Sequence, residues 1–148
     1  MSAKDNFETS LAQHIFQNAA IANIGDSSGL QPSAAPGAFY LTLYTVAPTD
    51  SAQGTECNYV GYLRLARSRN GASGFTVSGN VIYNTEVATF GQCVSGTMQT
   101  AVAFGINKAS GTGVDDSIIW GALTGGNLDI SVGVAPSFAI GALTVNID

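Results

Sequence analysis

The sequence predicts an all-β fold: an antiparallel β-sandwich of about eight strands with one N-terminal α-helix. Three observations carry this. One stretch near the start has helical period, the runs from residue 39 onward are short with period two, and Gly, Asn and Ser separate those runs at intervals of roughly 8–14 residues. No stretch of crossover-helix length lies between the runs, so the strands are expected to pair antiparallel.

The helix is read from Phe7, Leu11, Ile15 and Ala19, with Ala12 and Phe16 widening the apolar stripe. Asp5 or Asn6 is the expected N-cap, Glu8 sits where the dipole favours an anion, and Gly25 is the expected stop, which places the helix at about 6–22. GDSSGLQPSAAPGA, at 25–38, is a loop by its prolines and turn formers. FYLTLYTVA, at 39–47, is the clearest strand, with Phe39, Leu41 and Leu43 on one face and Tyr40, Thr42 and Tyr44 on the other, and Pro48 stops it. A polar loop at 49–58 leads to YVGYLRLARS at 59–68, read as one strand. FTVSGNVIYN, EVATFG and MQTAVAFGIN follow as short strands, GTGVDD as a loop, and then SIIWGAL, LDISV and SFAIGALTVNI. The length suits one domain over 1–148, divided into a helical segment 1–24, a loop 25–38 and a β-sandwich 39–148.

Composition narrows the function. Hydrophobic residues make up 45% and charged residues only 10%, against roughly 25% charged in average soluble proteins. That disfavours a coiled coil, a disordered chain and, at net charge −5, a nucleic-acid binder. Residues 1–10 lack the apolar core of a signal peptide, so synthesis in a cytoplasm is expected. No apolar run approaches the length of a transmembrane helix, so no membrane partner is expected. Cys57 and Cys93 are read as buried free thiols, with a disulfide as the alternative.

The chemistry-bearing residues are sparse. His14, the single histidine, has no triad or zinc partners beside it and reads as a partly exposed helix residue. Asp115–Asp116 offers half a calcium site but lacks the loop spacing, which favours a solvated loop. GxSxG and P-loop patterns are absent. No catalytic, cofactor or metal residue is therefore assigned. Arg64, Arg67 and Arg69 form the only basic cluster, read as surface salt bridges or as contacts to a neighbouring subunit, with Arg64 and Arg67 on opposite strand faces. Tyr40, Tyr44, Tyr59 and Tyr62 are the aromatics expected to be exposed at an interface. For Trp120, packing in a core or an interface is favoured over a sugar-stacking platform.

The ordered segments LAQHIFQN, FYLTLYTVAPTD, GYLRLA, GNVIYNTEVATF, VAFGINKAS, IIWGALTGG and SFAIGALTVNID span roughly 11–148, and their order resembles a family of small tailed-phage virion proteins, both tail-fibre-like and head-decoration. The chain departs from the pattern in a longer 22–37 loop, an insert carrying Cys57, and Ala135–Pro136 in place of a GD pair. The resemblance implies a non-enzymatic structural protein located in the virion. A capsid decoration or cement subunit, homo-oligomeric with a trimer as the expected state, would bind the major capsid protein. The alternative is a tail or tail-fibre component, including a glycan-binding adhesin, and the third reading is a carbohydrate-active enzyme.

Overall fold

The computed structural model describes residues 3–113 and 115–147; the expectations that touch Met1, Ser2, Val114 and Asp148 lie outside the described residues. The elements follow in the order α1 (Asp5–Gln17), β1 (Ala38–Val46), β2 (Thr55–Glu56), β3 (Leu65–Ser68), β4 (Phe75–Ser78), β5 (Val81–Asn84), β6 (Ala88–Thr89), β7 (Gln99–Ala101), β8 (Ala103–Asn107), β9 (Ser117–Ala122), β10 (Leu128–Ile130), β11 (Ser137–Phe138) and β12 (Thr144–Asn146). The all-β reading with one N-terminal helix holds. Among the described residues there are twelve strands rather than about eight, and they fall into four sheets. The chain divides into two compact units.

The first unit combines the segment up to Ala38 with Arg67–Glu86 and the stretch from Ile140. Its sheet runs β12–β5–β4, antiparallel throughout, with Val77 opposite Ile82 and Val145 opposite Ile82. The apolar stripe of α1 lies on β4: Phe16 meets Phe75 edge-on, ring centroids 5.4 Å apart, and both are buried. The helix is shorter than the expected 6–22. It stops at Gln17 because Asn18 turns left-handed at φ 56°, a conformation Asn tolerates better than most residues. The Asn18 amide then exchanges two hydrogen bonds with the Ser33 backbone, donating to its carbonyl at 2.9 Å and accepting from its N–H at 2.8 Å. Lys4, not Asp5 or Asn6, occupies the N-cap position, and it makes no side-chain cap.

The second unit holds Phe39–Ala66 and Val87–Ala139. Its main sheet has the order β2–β1–β8–β9, with β3 also paired to β1. β1 and β8 are antiparallel with Thr42 opposite Gly105, and β8 and β9 with Gly105 opposite Trp120. Two ribbons, β7–β10 and β6–β11, complete it. Gly105 is required in mid-strand because the Tyr44 ring lies over it: a Cβ there would come within 2.7 Å of that ring. The segment 59–68, read as one strand, is a strand only over Leu65–Ser68. Gly61 breaks it, at φ 102°, where its backbone crosses that of Gly91 and Gln92 so closely that a Cβ would collide with the Gln92 carbonyl. Tyr59, Tyr62, Phe90 and Phe138 pack in a chain of ring contacts, with centroids 5.3 to 6.2 Å apart.

Candidate functional site

The basic cluster does not act as a cluster. Arg69 reaches the end of α1, donating to the carbonyls of His14 and Ile15 and, at 3.1 Å, to Ser33 Oγ. A cation there answers both the orphan carbonyls and the negative end of the dipole. Arg67 is half-buried. Arg64 is buried, its side chain 1% exposed, and it replaces the expected surface salt bridge with an internal one.

Arg64 sits between two carboxylates of the second unit. Its Nε and Nη2 donate to Oε1 and Oε2 of Glu56, each at 2.9 Å, a bidentate fork. Nη1 donates to Asp116 Oδ1 and to the Ala109 carbonyl, both at 2.8 Å. The Glu56 and Asp116 side chains are only 6% and 8% exposed. A buried charge needs hydrogen-bond partners, and here each carboxylate oxygen of Glu56 and Asp116 has at least one. Tyr62 donates its hydroxyl proton to Glu56 at 2.9 Å and accepts from the Leu43 N–H, and the Gly113 N–H donates to Glu56 Oε2 at 3.0 Å. Asn107 donates to Asp116 Oδ1 at 2.9 Å while its own carbonyl oxygen accepts from Thr42 and Tyr44.

The electrostatics follow. Desolvation pushes the Asp116 carboxyl up, but the hydrogen bonds from Asn107, Arg64 and the Ala109 N–H, with the Arg64 charge, outweigh it and hold the carboxyl below the usual carboxylate range. Desolvation likewise opposes the Arg64 cation, and the bonds and charges of Glu56 and Asp116 overcome it and raise its pKa. Burial drives the Tyr62 phenol upward, well beyond its ordinary range, despite the opposing Leu43 bond.

This network fixes a loop. Ala109 and Asp116 are tied to Arg64, Lys108 N–H bonds the Asp116 carbonyl at 3.1 Å, and Gly113 is tied to Glu56. The loop carries Asp115 and opens into β9, which ends the five-stranded sheet. Beside it, Pro48 stops β1 and Thr49–Ala52 closes a tight turn through a 2.8 Å backbone bond from the Thr49 N–H to the Ala52 carbonyl. Turn, loop and strand border an open groove of about 450 Å³, lined by Thr49, Asp50, Ser51, Asp115, Ile118 and Trp120. Along β9 the side chains alternate, so Ile118 and Trp120 face outward, 40% and 38% exposed. Trp120 is therefore not a core residue.

The other sequence candidates are placed as follows. Tyr40 is half-exposed. Tyr44, Tyr59 and Tyr62 are buried, against the exposure expected of them, because their hydroxyls find internal partners: Asn107, the Gly91 carbonyl at 2.9 Å, and Glu56. Asp116 is no solvated half of a calcium site, since both its oxygens are engaged. Among the described residues no group of three or more His, Cys, Asp or Glu is placed to hold a metal ion. His14 Nδ1 lies 2.6 Å from the Ala19 carbonyl, half-buried at the helix end. Cys57 and Cys93 are buried free thiols, and burial, aided by the Glu56 charge, pushes Cys57 up to about 12. The partnership of Glu56 with Arg64 was missed from sequence, because nothing local signals a pair that only the fold brings together.

The chain is charge-poor and β-rich, with a buried ion network and an open groove bordered by Trp120 in its second unit. The family model described as podophage GP4 fiber I protein gp80 matches residues 3–146, and the chain belongs to this family of tailed-phage virion structural proteins. No curated protein matches the chain. The protein is a virion component, and among the described residues no helix is long and apolar enough to cross a membrane.

Proposed function

We propose that the chain is a structural, non-catalytic subunit of a podophage tail fibre. The observation that carries this reading is the correspondence of residues 3–146 to a fibre family. The fold is consistent with it: Val60, Leu63, Val94 and Met98 stand exposed in the second unit, and Val60 and Val94 are brought together by a 3.0 Å backbone bond. Exposed apolar groups gathered on a charge-poor chain suit packing against other virion subunits. Homo-oligomerisation, with a trimer as the first state to look for, belongs to the same proposal.

Quantitative mass spectrometry of purified particles tests it. A fibre subunit is present at a small fraction of the count of the major capsid protein. A near-equimolar ratio overturns the fibre reading and makes the chain a decoration subunit of the shell. Native mass spectrometry of the isolated chain reads the oligomeric state, and a monomer at all accessible concentrations refutes self-association.

A further inference from the structure

β9 ends the five-stranded sheet, and its outer edge is unclaimed. Beyond the two ends of the β8–β9 ladder, the Leu123 N–H donates to the Val102 carbonyl at 3.0 Å and the Lys108 N–H to the Asp116 carbonyl at 3.1 Å. Antiparallel alternation then turns the backbone groups of Ile119 and Gly121, opposite Ile106 and Phe104, toward β8. Trp120 and Ala122 turn theirs outward, and among the described residues nothing bonds them. Native edges are guarded by charge, proline or a bulge. Ser117–Ala122 holds neither a charged residue nor a proline. Its one irregularity sits at its start, where Ser117 is opposite Asn107 and Ile118 is the extra residue. A row of free donors and acceptors beside an exposed indole is a template for another strand.

We propose that this edge pairs with β9 of a second copy of the chain, antiparallel about a two-fold axis through Gly121. The strand is self-complementary in that register. Trp120 of one copy faces Ala122 of the other, so a large side chain meets a small one, and each such pair exchanges two backbone hydrogen bonds. Gly121 meets its counterpart on the axis, at a pair without hydrogen bonds, where the backbones come closest. Charge selects the same arrangement. Antiparallel pairing carries Asp115 toward the uncharged Thr124–Asn127 turn of the other copy, whereas parallel pairing sets it beside its own counterpart. Every outward group thus finds its partner on an identical strand, which is why the occupant is a second copy. The contact does not depend on the fibre reading; it joins single chains in pairs, or joins two trimers.

Sedimentation equilibrium of the full chain over a dilution series tests it, in salt that screens the net charge of −5. The expected result is an even-numbered species, a dimer or a hexamer. Trp120 is the single tryptophan, and its emission is expected to move to the red over the same concentrations as dilution uncovers the indole. Two variants locate the contact. Ala122→Pro deletes an N–H that points away from β8, and Trp120→Lys puts a charge on the edge at a side chain already exposed. Each is expected to weaken the pairing by about tenfold or more with the far-ultraviolet circular dichroism unchanged. Where the proline variant loses that signal, the lysine variant decides. The inference is overturned by a wild-type monomer at every concentration, by a trimer with no even-numbered species, or by variants that associate as the wild type does. Particle stoichiometry stands apart from this readout: a minor virion component without the edge contact refutes this inference alone, and a paired chain as abundant as the capsid protein refutes the fibre reading alone.

Discussion

Replacing Arg64 by Met removes the one cation that answers Glu56 and Asp116, and leaves both carboxylates inside with side chains 6% and 8% exposed. The hydrogen bonds to both oxygens of Glu56, to Asp116 and to the Ala109 carbonyl go with it. Breaking a buried pair by deleting one partner costs about 3–5 kcal/mol, mostly the penalty of the orphaned charge. Domain stabilities are roughly 5–15 kcal/mol, so the variant is expected to fold with its thermal midpoint lowered by about 6–20 °C. The sign of the pH dependence provides a second reading. In the wild type Asp116 has a depressed pKa, so its contribution is present above the ordinary carboxylate range near 3.8 and lost as pH falls through the folded value. In the variant, desolvation acts on Asp116 without the guanidinium, its folded pKa rises, and acid relieves the penalty instead. Urea unfolding of both proteins at pH 7 and pH 4 checks this: the stability gap is expected to narrow toward acid. A gap below about 1 kcal/mol at pH 7, or one that widens at pH 4, refutes the assignment of this network as the internal tie of the second unit.

Three further outcomes concern the same unit. Cys57, raised from 9.0 to about 12, and Tyr59, raised from 10.0 to about 12, both lose their protons more readily when unfolded, so stability is full below pH 9 and falls as pH rises toward 12. Neither thiol is expected to react with a disulfide reagent at pH 8 until urea unfolds the chain, and prompt native-state labelling would contradict the burial of Cys57 and Cys93. Gly61→Ala, placed at φ 102° against the Gln92 carbonyl, is expected to cost more than about 2 kcal/mol in urea unfolding, and a neutral substitution would refute the close backbone crossing.

The elements legible in the sequence were those that local pattern decides. The 3.6-residue stripe from Phe7 gave the helix, and the aromatic and β-branched run before Pro48 gave β1 nearly to the residue. What local pattern does not carry was misplaced. Tyr44 alternates with Leu43 as an outward residue should, yet both are buried, because β1 is central in its sheet and Tyr44 covers Gly105 to reach Asn107. Arg64 looked like a surface cation because its partners Glu56 and Asp116 come from opposite sides of the chain, and only the fold brings them within 3 Å. The outward step of Trp120 follows from alternation along β9, but which of the two strand faces the fold leaves uncovered is a tertiary property that periodicity does not encode. The helix end turned on Asn18 rather than Gly25, a choice made by the Ser33 backbone fifteen residues away.

The tether between the 108–116 loop and Arg64 has one more consequence. A surface segment on a particle exposed to shear, drying and proteases is ordinarily the first part to be nicked, since cleavage needs several residues to unzip into an extended form. Here the segment is pinned at Ala109, Gly113 and Asp116 by groups that face inward. Resistance to cleavage at Ala109, Gly113 and Asp116 is thus expected to be borrowed from the interior, since these anchor points come free only when the ions beneath them are parted.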